Sequence, residues 1–460
     1  MQQYLDKTKT SGRLPRSLLH QRRAHQIIPG GAHTYAKGDD QFPEALAPVI
    51  VRGKGPYVWD KDGNRYIEYG CGVRSVTLGH GFKPVCDAAY RASLAGNNFT
   101  RPAAIELSAA EKMLELIPSA DMVKFGKNGS DAVTAAVKLA RAHTGRDMVA
   151  ICGDHPFFSV HDWFIATTPM DSGIPPFARD AVVKFAYNDL QSVADLFDAY
   201  PGRIAAIVLE PESSVLHDGR FLPGLRRLCD REGALLVLDE TITGFRWHLN
   251  GAQTLFGVEP DLSTFGKAMA NGFAVSALCG KRQFMRLAGI EHADRERCFA
   301  LSLTHGAESS GLAAFIRTAQ VYQRRDVVGT LYRQGRRLLD GLNLAAADAG
   351  VQEHFTISGR PCLLLYATLD QNGQRSQPFR TLFLQELLRR GVLAPNFAVT
   401  TAHTDVEIDR TVEVVAEALH VYARALNDGV ERHLVGRPVQ PVFRKYNHPR
   451  PAKPSQREVA

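Results

Sequence analysis

The chain has 460 residues, of which 45% are hydrophobic, and its formal net charge is +7. This length exceeds what one hydrophobic core usually serves, so we expect two domains. Lys and Arg are interspersed with Asp and Glu and form no run longer than a pair. Nucleic acid is therefore not the expected partner, and the basic charge points instead to an anionic cofactor or substrate.

Cysteine usage and hydropathy exclude further classes. The seven cysteines are odd in number, widely spaced and free of any CxxC pattern, so neither a disulfide framework nor a metal site is expected. Residues 1–23 contain no apolar core of signal-peptide length, and no stretch of the chain approaches 18 unbroken apolar residues. The sequence therefore predicts a cytoplasmic protein without a membrane segment.

The first part of the chain, residues 1–79, begins with a polar, partly helical lead-in. A polar loop follows at 32–42, and two alternating segments at 48–52 and 55–60 are typical of hairpin strands. We expect this N-terminal segment to pack with the C-terminal part of the chain.

Residues 80–325 alternate between strand and helix patterns, which predicts a largely parallel sheet covered by helices on both faces. Its clearest strands are expected at 147–152, 204–209 and 234–238. Residues 326–460 are predicted to form a small α+β domain with a polar tail. We expect the basic residues of that tail to be solvated: Arg444, Lys445, Arg450, Lys453 and Arg457.

An acid and an amine mark the ends of two predicted strands of the large domain. The apolar run 234–238 ends on Asp239, and a short apolar segment 28 residues later ends on Gly266 and Lys267. In open α/β sheets, ligands bind at the carboxyl ends of strands. A carboxylate and an amine on such an edge suit pyridoxal phosphate (PLP), which has a basic ring nitrogen and an electrophilic carbon.

Four strings of the chain together resemble one enzyme family. They are WDKDGNRYIEYG, FGKNGSDAVTAAVKLARAHTGRD, LVLDETITGFR and DLSTFGKAMANG. In this order they resemble the class III PLP-dependent aminotransferases, and in particular glutamate-1-semialdehyde aminomutase and its aminotransferase relatives. The resemblance runs from about residue 27 to about residue 415. It implies PLP fold type I, with a seven-stranded, mostly parallel α/β/α domain, and a homodimer with active sites at the subunit interface.

The resemblance also implies roles for the acid and the amine. Lys267 would form the Schiff base with PLP and, once displaced by the substrate amine, would act as general base. Asp239 would remain ionised beside the pyridinium and keep the ring nitrogen protonated.

Two further segments match the family's cofactor contacts. Asn128, Gly129 and Ser130 lead into a predicted helix and would hold the PLP phosphate on its free amides; the alternative is a simple helix cap with Ser130 as the capping residue. After the next strand, either His155 or Phe157 would stack on the ring, although a buried core Phe is a competing interpretation.

Two isolated residues complete the expected cofactor side. Glu210 follows the strand 204–209 and matches a glutamate near the ring, although an acid in this position can also be a surface cap. Thr304 matches a threonine that reaches the phosphate of the partner subunit, and this match would require a dimer.

The substrate side departs from the aminomutase pattern. Lys37 stands where the aminomutase has a carboxylate-binding Arg, Val73 replaces a Trp, and Arg74 replaces a small residue. The stretch 394–398 lacks the acid found there. We expect Tyr35, Lys37 and Arg74 to face the substrate, with a structural ion pair as the alternative for Arg74.

The sequence thus predicts a PLP-dependent aminotransferase that cycles between PLP and pyridoxamine phosphate (PMP). An amino donor, glutamate by hypothesis, would load the amine and a small-molecule aldehyde or ketone would accept it. We hypothesise an oxo-sugar acceptor, because the loop around Tyr35 offers uncharged polar groups and Val73 leaves room. The alternative is glutamate-1-semialdehyde aminomutase or another intramolecular amine transfer.

Overall fold

The computed structural model describes residues 14–291 and 295–447. Its strands are β1 (Ile50–Lys54), β2 (Tyr57–Asp60), β3 (Arg65–Glu68), β4 (Met122–Gly126), β5 (Met148–Cys152), β6 (Val182–Phe185), β7 (Ile204–Leu209), β8 (Leu235–Glu240), β9 (Leu262–Phe265), β10 (Ser276–Gly280), β11 (Phe355–Arg360), β12 (Leu363–Thr368), β13 (Val392–Leu393) and β14 (Phe397–Ala398). Its main helices are Pro15–Ile27, Lys83–Leu94, Ala104–Leu116, Gly129–Thr144, Asp162–Ile165, Pro176–Asp180, Leu190–Ala199, Phe221–Glu232, Ala252–Phe256, Arg282–Met285, Ser309–Arg324, Val327–Asp348, Gln377–Arg389 and Asp405–Asp428.

The central sheet has the order β4-β10-β9-β8-β7-β5-β6 in the described part of the chain. Strand β10 runs antiparallel to both of its neighbours, and the remaining pairs are parallel. Every residue of β5, β7, β8, β9 and β10 is buried, because helices cover both faces of a parallel sheet. The predicted seven-stranded, mostly parallel α/β fold is confirmed.

Two smaller sheets join the ends of the chain. Strand β13 pairs in parallel with β3 and extends the N-terminal hairpin to the order β1-β2-β3-β13. Strands β11, β12 and β14 form a third, antiparallel sheet. One hydrophobic core contains residues of β3 together with residues of the helices Val327–Asp348 and Asp405–Asp428. The domain boundaries at residues 79 and 325 stay a prediction.

Strand β8 extends further than the sequence predicts. The apolar run ends at Leu238, but the strand continues through Asp239 and Glu240. Its ladder with β9 pairs Asp239 with Thr264 and Glu240 with Phe265. Backbone pairing with β9 therefore carries two buried acids into the sheet, at the edge where ligands of such folds bind.

The C-terminal segment is not a fully solvated tail, so that expectation is wrong for Arg444, whereas Lys445 is exposed. Arg444 pairs with Asp40 at 2.7 Å, and Arg437 donates to the carbonyl of Asp39 at 3.1 Å. The ring of Phe443 stacks on that of Phe157 with centroids 6.4 Å apart. Acids and carbonyls of the N-terminal loop attract this basic segment. Arg450, Lys453 and Arg457 lie outside the described residues.

Within residues 14–291 and 295–447, no helix combines the length and the apolar composition needed to cross a bilayer.

Candidate active site

Lys267 lies at the carboxyl end of β9, where Gly266 leads into a short 3₁₀ turn, Lys267–Ala270. Its backbone is left-handed, with φ of 44°, a conformation that non-glycine residues adopt mainly where the surrounding structure imposes it. Burial lowers the pKa of the Lys267 amine to about 8, and Glu210 partly opposes this shift. Among the described residues, no carboxylate oxygen lies within 4.0 Å of the Lys267 amine.

Asp239 is the neighbouring acid, on the adjacent strand β8, and only 4% of it is exposed. Its Oδ1 accepts hydrogen bonds from the amide of Thr241 at 3.0 Å and the hydroxyl of Thr264 at 2.9 Å. Burial raises the pKa of the Asp239 carboxyl, although these donors and Lys267 oppose the shift. Oδ2 is left without a partner in the described part of the chain. A buried carboxylate in this state favours a cationic ligand.

Glu210 follows β7 and brings a second buried acid to the same edge. Burial, and then the nearby charge of Asp239, raise the pKa of the Glu210 carboxyl to about 7, whereas Lys267 and Arg74 lower it. One amine, one guanidinium and two carboxyl groups therefore interact electrostatically within one site. We call Glu210, Asp239 and Lys267 the cofactor edge.

The two candidates for ring stacking have different surroundings. His155 is buried, its Nδ1 accepts the amide hydrogen of Glu210 at 3.1 Å, and burial lowers its pKa to about 4. Its imidazole is therefore neutral and carries its proton on Nε2. Phe157 is 41% exposed and contacts Phe443 and Phe164. His155 alone of the two contacts the cofactor edge directly.

The helix Gly129–Thr144 begins beside this edge. Asn128, and not Ser130, is its N-cap residue, which corrects the alternative that Ser130 caps the helix. The Ser130 hydroxyl instead accepts a hydrogen bond from the amide of Val160 at 3.2 Å. The amides of Gly129 and Ser130 donate to no protein acceptor within the described ranges, so they are available to an anion.

Glycine at position 129 allows the helix terminus to approach β8 closely. A Cβ at Gly129 would lie 2.9 Å from the side chain of Thr241, which follows Asp239 and Glu240 in the chain. No hydrogen bond joins the buried hydroxyl of Thr241 to another of the described residues. The helix N-terminus and the carboxyl end of β8 therefore border the same space.

The predicted substrate residues, and Thr304, differ in whether they interact with the cofactor edge. Arg74 shares electrostatic interactions with Glu210 and Lys267. Tyr35, 63% exposed, and Lys37 lie on a short exposed 3₁₀ turn, and Thr304 lies in an exposed loop. No hydrogen bond, ion pair or ring contact in the described chain joins these three to the cofactor edge.

The sequence interpretation did not assign two residues of this site. Arg246 is completely buried and its charge lowers the pKa values of both Arg74 and Lys267. Thr264 fixes Asp239. Both lie inside the strings that carried the family resemblance, but an arginine or threonine in such a string has no spacing that separates a site residue from a core residue.

Comparison with known proteins identifies the family. A profile described as "Aminotransferase class-III" matches residues 35–402. The chain belongs to the class III aminotransferases. It is 32% identical over 418 residues to "3-aminobutyryl-CoA aminotransferase" of Cloacimonas acidaminovorans (88% of this chain, 97% of the relative). It is also 32% identical over 432 residues to "Glutamate-1-semialdehyde 2,1-aminomutase" of Syntrophobacter fumaroxidans (88% and 97%).

A solved structure agrees with this assignment. The FumI protein of Sphingopyxis sp. MTA144, in its PLP internal aldimine form, is similar to this chain with a TM-score of 0.83 and 29% identity, over 93% of this chain and 99% of that one. As a class III aminotransferase, the protein uses PLP, so the predicted family, enzyme class and cofactor are confirmed.

The residues present fit this cofactor. A basic ring nitrogen suits the free oxygen of buried Asp239, and an aldehyde suits an amine whose pKa burial has lowered to about 8. A phosphate suits the unused amides of Gly129 and Ser130. The described residues contain no cluster of His, Cys, Asp or Glu that could hold a metal ion.

Proposed function

We propose that this class III aminotransferase transfers amines through Lys267. The observation that carries the proposal is a buried amine without an ion-pair partner beside a buried carboxylate with a free oxygen. When bound, PLP supplies an electron sink for the substrate carbon. Lys267 would anchor the cofactor covalently and, after release, its Nζ would accept the proton of that carbon, for which a pKa near 8 is suitable.

Asp239 and Glu210 would have different tasks in this proposal. Asp239, held by Thr241 and Thr264, would keep a proton on the ring nitrogen by offering its free Oδ2. Glu210, with a pKa of about 7, would lie beside the ring and be protonated or ionised according to the charge of its neighbours.

The phosphate and the ring would be held by the groups around the helix Gly129–Thr144. We propose that Asn128, Gly129 and Ser130 bind the phosphate through the helix N-terminus. Between the two stacking candidates, the burial of His155 and its hydrogen bond to Glu210 favour His155 over Phe157.

A homodimer with active sites at the subunit interface is part of the proposal. Exposed apolar side chains on the helices Lys83–Leu94 and Ala104–Leu116 support it: Tyr90, Leu94 and Leu107. In such a dimer, the exposed Thr304 would reach the phosphate of the partner subunit. The cysteines described are all free thiols, which favours a reducing, cytoplasmic location.

For the substrates, we propose an amino-acid donor and an oxo-sugar acceptor. The exposed Tyr35 and Lys37 would contact the acceptor at the outer side of the site. The alternative is an aminomutase, which the name of one relative supports.

One experiment separates these possibilities. The PMP form of the enzyme is mixed in turn with oxo-sugars, keto acids, simple aldehydes and glutamate-1-semialdehyde, and the return of the PLP absorbance is timed. We expect the fastest return with an oxo-sugar. A preference for glutamate-1-semialdehyde, with return of its own amine, would establish the aminomutase, and a protein that takes up no PLP would refute the proposal as a whole.

A further inference from the structure

The segment Cys71–Arg74, directly after β3, is a left-handed turn. Its four residues all have positive φ: 48°, 58°, 59° and 71° in chain order. Only Gly72 is a glycine, and Val73 is β-branched. L-residues visit this region as single residues, and a run of four is disfavoured at every step. A conformation of this kind persists only where the surrounding structure fixes it, and it is concentrated at ligand-binding sites.

Side chains and carbonyls fix the start of the turn. The amide of Cys71 donates to Glu68 Oε2 at 2.8 Å, and the Cys71 thiol donates to the carbonyl of Ala398 at 3.0 Å. Within the turn, the hydroxyl of Ser75 donates to the carbonyl of Gly72 at 2.8 Å.

Arg246 fixes the end of the turn. Its Nη2 donates to the carbonyls of Arg74 at 3.3 Å and Val76 at 3.2 Å. Its Nη1 donates to the carbonyls of Cys362 at 3.1 Å and Val399 at 3.0 Å. One buried guanidinium thus joins the turn to the loop after β8 and to the C-terminal sheet.

The turn places Arg74 within electrostatic range of Glu210 and Lys267. Among the described residues, the Arg74 guanidinium forms no ion pair. Burial lowers the pKa of the Arg74 guanidinium, and Glu210 opposes the shift. Its buried Nε has no hydrogen-bond acceptor in the part of the chain that the structure describes. Within residues 14–291 and 295–447, no carboxylate oxygen lies within 4.0 Å of this guanidinium, so the structural ion pair considered for Arg74 does not form. A half-buried guanidinium that lacks an ion-pair partner favours the binding of an anion.

We propose that the left-handed turn is a carboxylate receptor for the amino donor. The Arg74 guanidinium binds the donor carboxylate through its planar fork of N–H groups, while the donor amine meets Lys267. Arg246 is the positioning residue that holds the turn in place. The proposal rests on Lys267 being the reactive amine, as argued above.

The alternative cation is Lys37, which stands where the family resemblance places a carboxylate-binding Arg. Lys37 is exposed, and no hydrogen bond or ion pair among the described residues joins it to the cofactor edge, whereas Arg74 is half-buried and interacts with Glu210 and Lys267. A desolvated guanidinium binds a carboxylate more strongly than a solvated ammonium does.

The test uses the PLP-loaded enzyme and paired donors, L-alanine and L-alaninamide. In Arg74→Gln, we expect the ratio of kcat/KM for the acid over the amide to fall about tenfold to a hundredfold, with Arg74→Lys between Gln and wild type. Calorimetric titration with propionate, which carries no amine, should show binding to wild type and none to Arg74→Gln. An unchanged ratio, or equal propionate binding by both proteins, would overturn the proposal.

A second variant tests the turn itself. Ser75→Ala removes the hydrogen bond to the Gly72 carbonyl without touching Arg74, and it should raise KM for L-alanine several-fold with little change in kcat. Equal changes for acid and amide would show a structural role only. Loss of the PLP absorbance or of the borohydride-reducible adduct on wild-type Lys267 would instead refute the proposed function, so the two failures are distinguishable.

Discussion

The two sides of the active site are built on different kinds of backbone. The residues of the cofactor edge lie at the carboxyl ends of parallel strands, where the hydrogen bonds of the central sheet fix them. The substrate side is built from a short exposed turn at Tyr35–Lys37 and the left-handed turn Cys71–Arg74. Distant carbonyls and one buried arginine fix the left-handed turn.

This difference indicates which part of the active site the fold holds constant and which part can change its residues without changing the fold. A lysine after β9 and an acid on β8 cannot move without moving the sheet. A turn outside the sheet, in contrast, can exchange a small residue for Arg74 while the sheet stays the same. We expect changes at the cofactor edge to abolish the reaction, and changes at the substrate side to alter which molecules enter it.

The largest expected effect comes from Lys267→Ala. Among the described residues, Lys267 is the amine whose charge acts on both Asp239 and Glu210, so the variant would lose both the proposed covalent anchor and the proposed proton acceptor. We expect transamination to fall at least about a thousandfold. Reduction with borohydride followed by peptide mass analysis should find no PLP adduct.

The matched control is Lys281→Ala. Lys281 pairs with Asp261 at 3.0 Å, at the opposite end of the same sheet, and we expect near wild-type turnover. A reducible PLP adduct in Lys267→Ala would show that another amine anchors the cofactor.

Asp239→Asn should have the next largest effect. The neutral amide still accepts hydrogen bonds from Thr241 and Thr264 but no longer holds a proton on the ring nitrogen. Losing one such preorganised charge costs roughly 3 kcal/mol, or about a hundredfold in kcat. Single-turnover kinetics with PLP at saturation would measure it, and an unchanged rate would mean that Asp239 is not the partner of the ring nitrogen.

The sequence predicted where the cofactor edge lies in the fold, but not the backbone conformation of Cys71–Arg74, and the reason is physical. Apolar runs mark buried strands, and strand ends mark the ligand edge, so Asp239, Lys267 and the helix after Asn128 could be predicted in place. Nothing local in the sequence indicates that Cys71–Arg74 is left-handed, because only one of its residues is a glycine. A carbonyl that holds the turn also comes from Ala398, which lies 327 positions from Cys71 in the chain.

Glu210→Gln is expected to change the pH dependence of stability in the cofactor-free protein. The folded-state pKa of Glu210 is about 7, against 4.5 for the free side chain, so between these values the folded protein binds more protons than the unfolded chain. Stability from this group is therefore complete below pH 4.5 and is lost as the pH rises through 7. Relative to Glu210→Gln, the free energy of unfolding of wild type should fall between pH 5 and pH 8. If the free energy of unfolding, measured in urea, depends on pH in the same way for wild type and Glu210→Gln, burial does not raise the pKa of Glu210.

The smallest expected effect concerns the strain in the left-handed turn. Val73 has φ of 59° and ψ of 46°, which costs a non-glycine residue roughly 1–2 kcal/mol, whereas glycine adopts it freely. Part of the gain from Val73→Gly is offset by the added freedom of the unfolded chain, so we expect a net stabilisation of about 0.5–1 kcal/mol. Val73→Ala, which keeps the Cβ and the strain, is the control and should not be stabilised.

If the turn positions Arg74, the more stable Val73→Gly should also have a higher KM for a carboxylated donor, because the loosened turn no longer holds the guanidinium in one place. Greater stability of Val73→Gly with an unchanged KM would show that the backbone strain of the turn is not needed for binding the donor carboxylate.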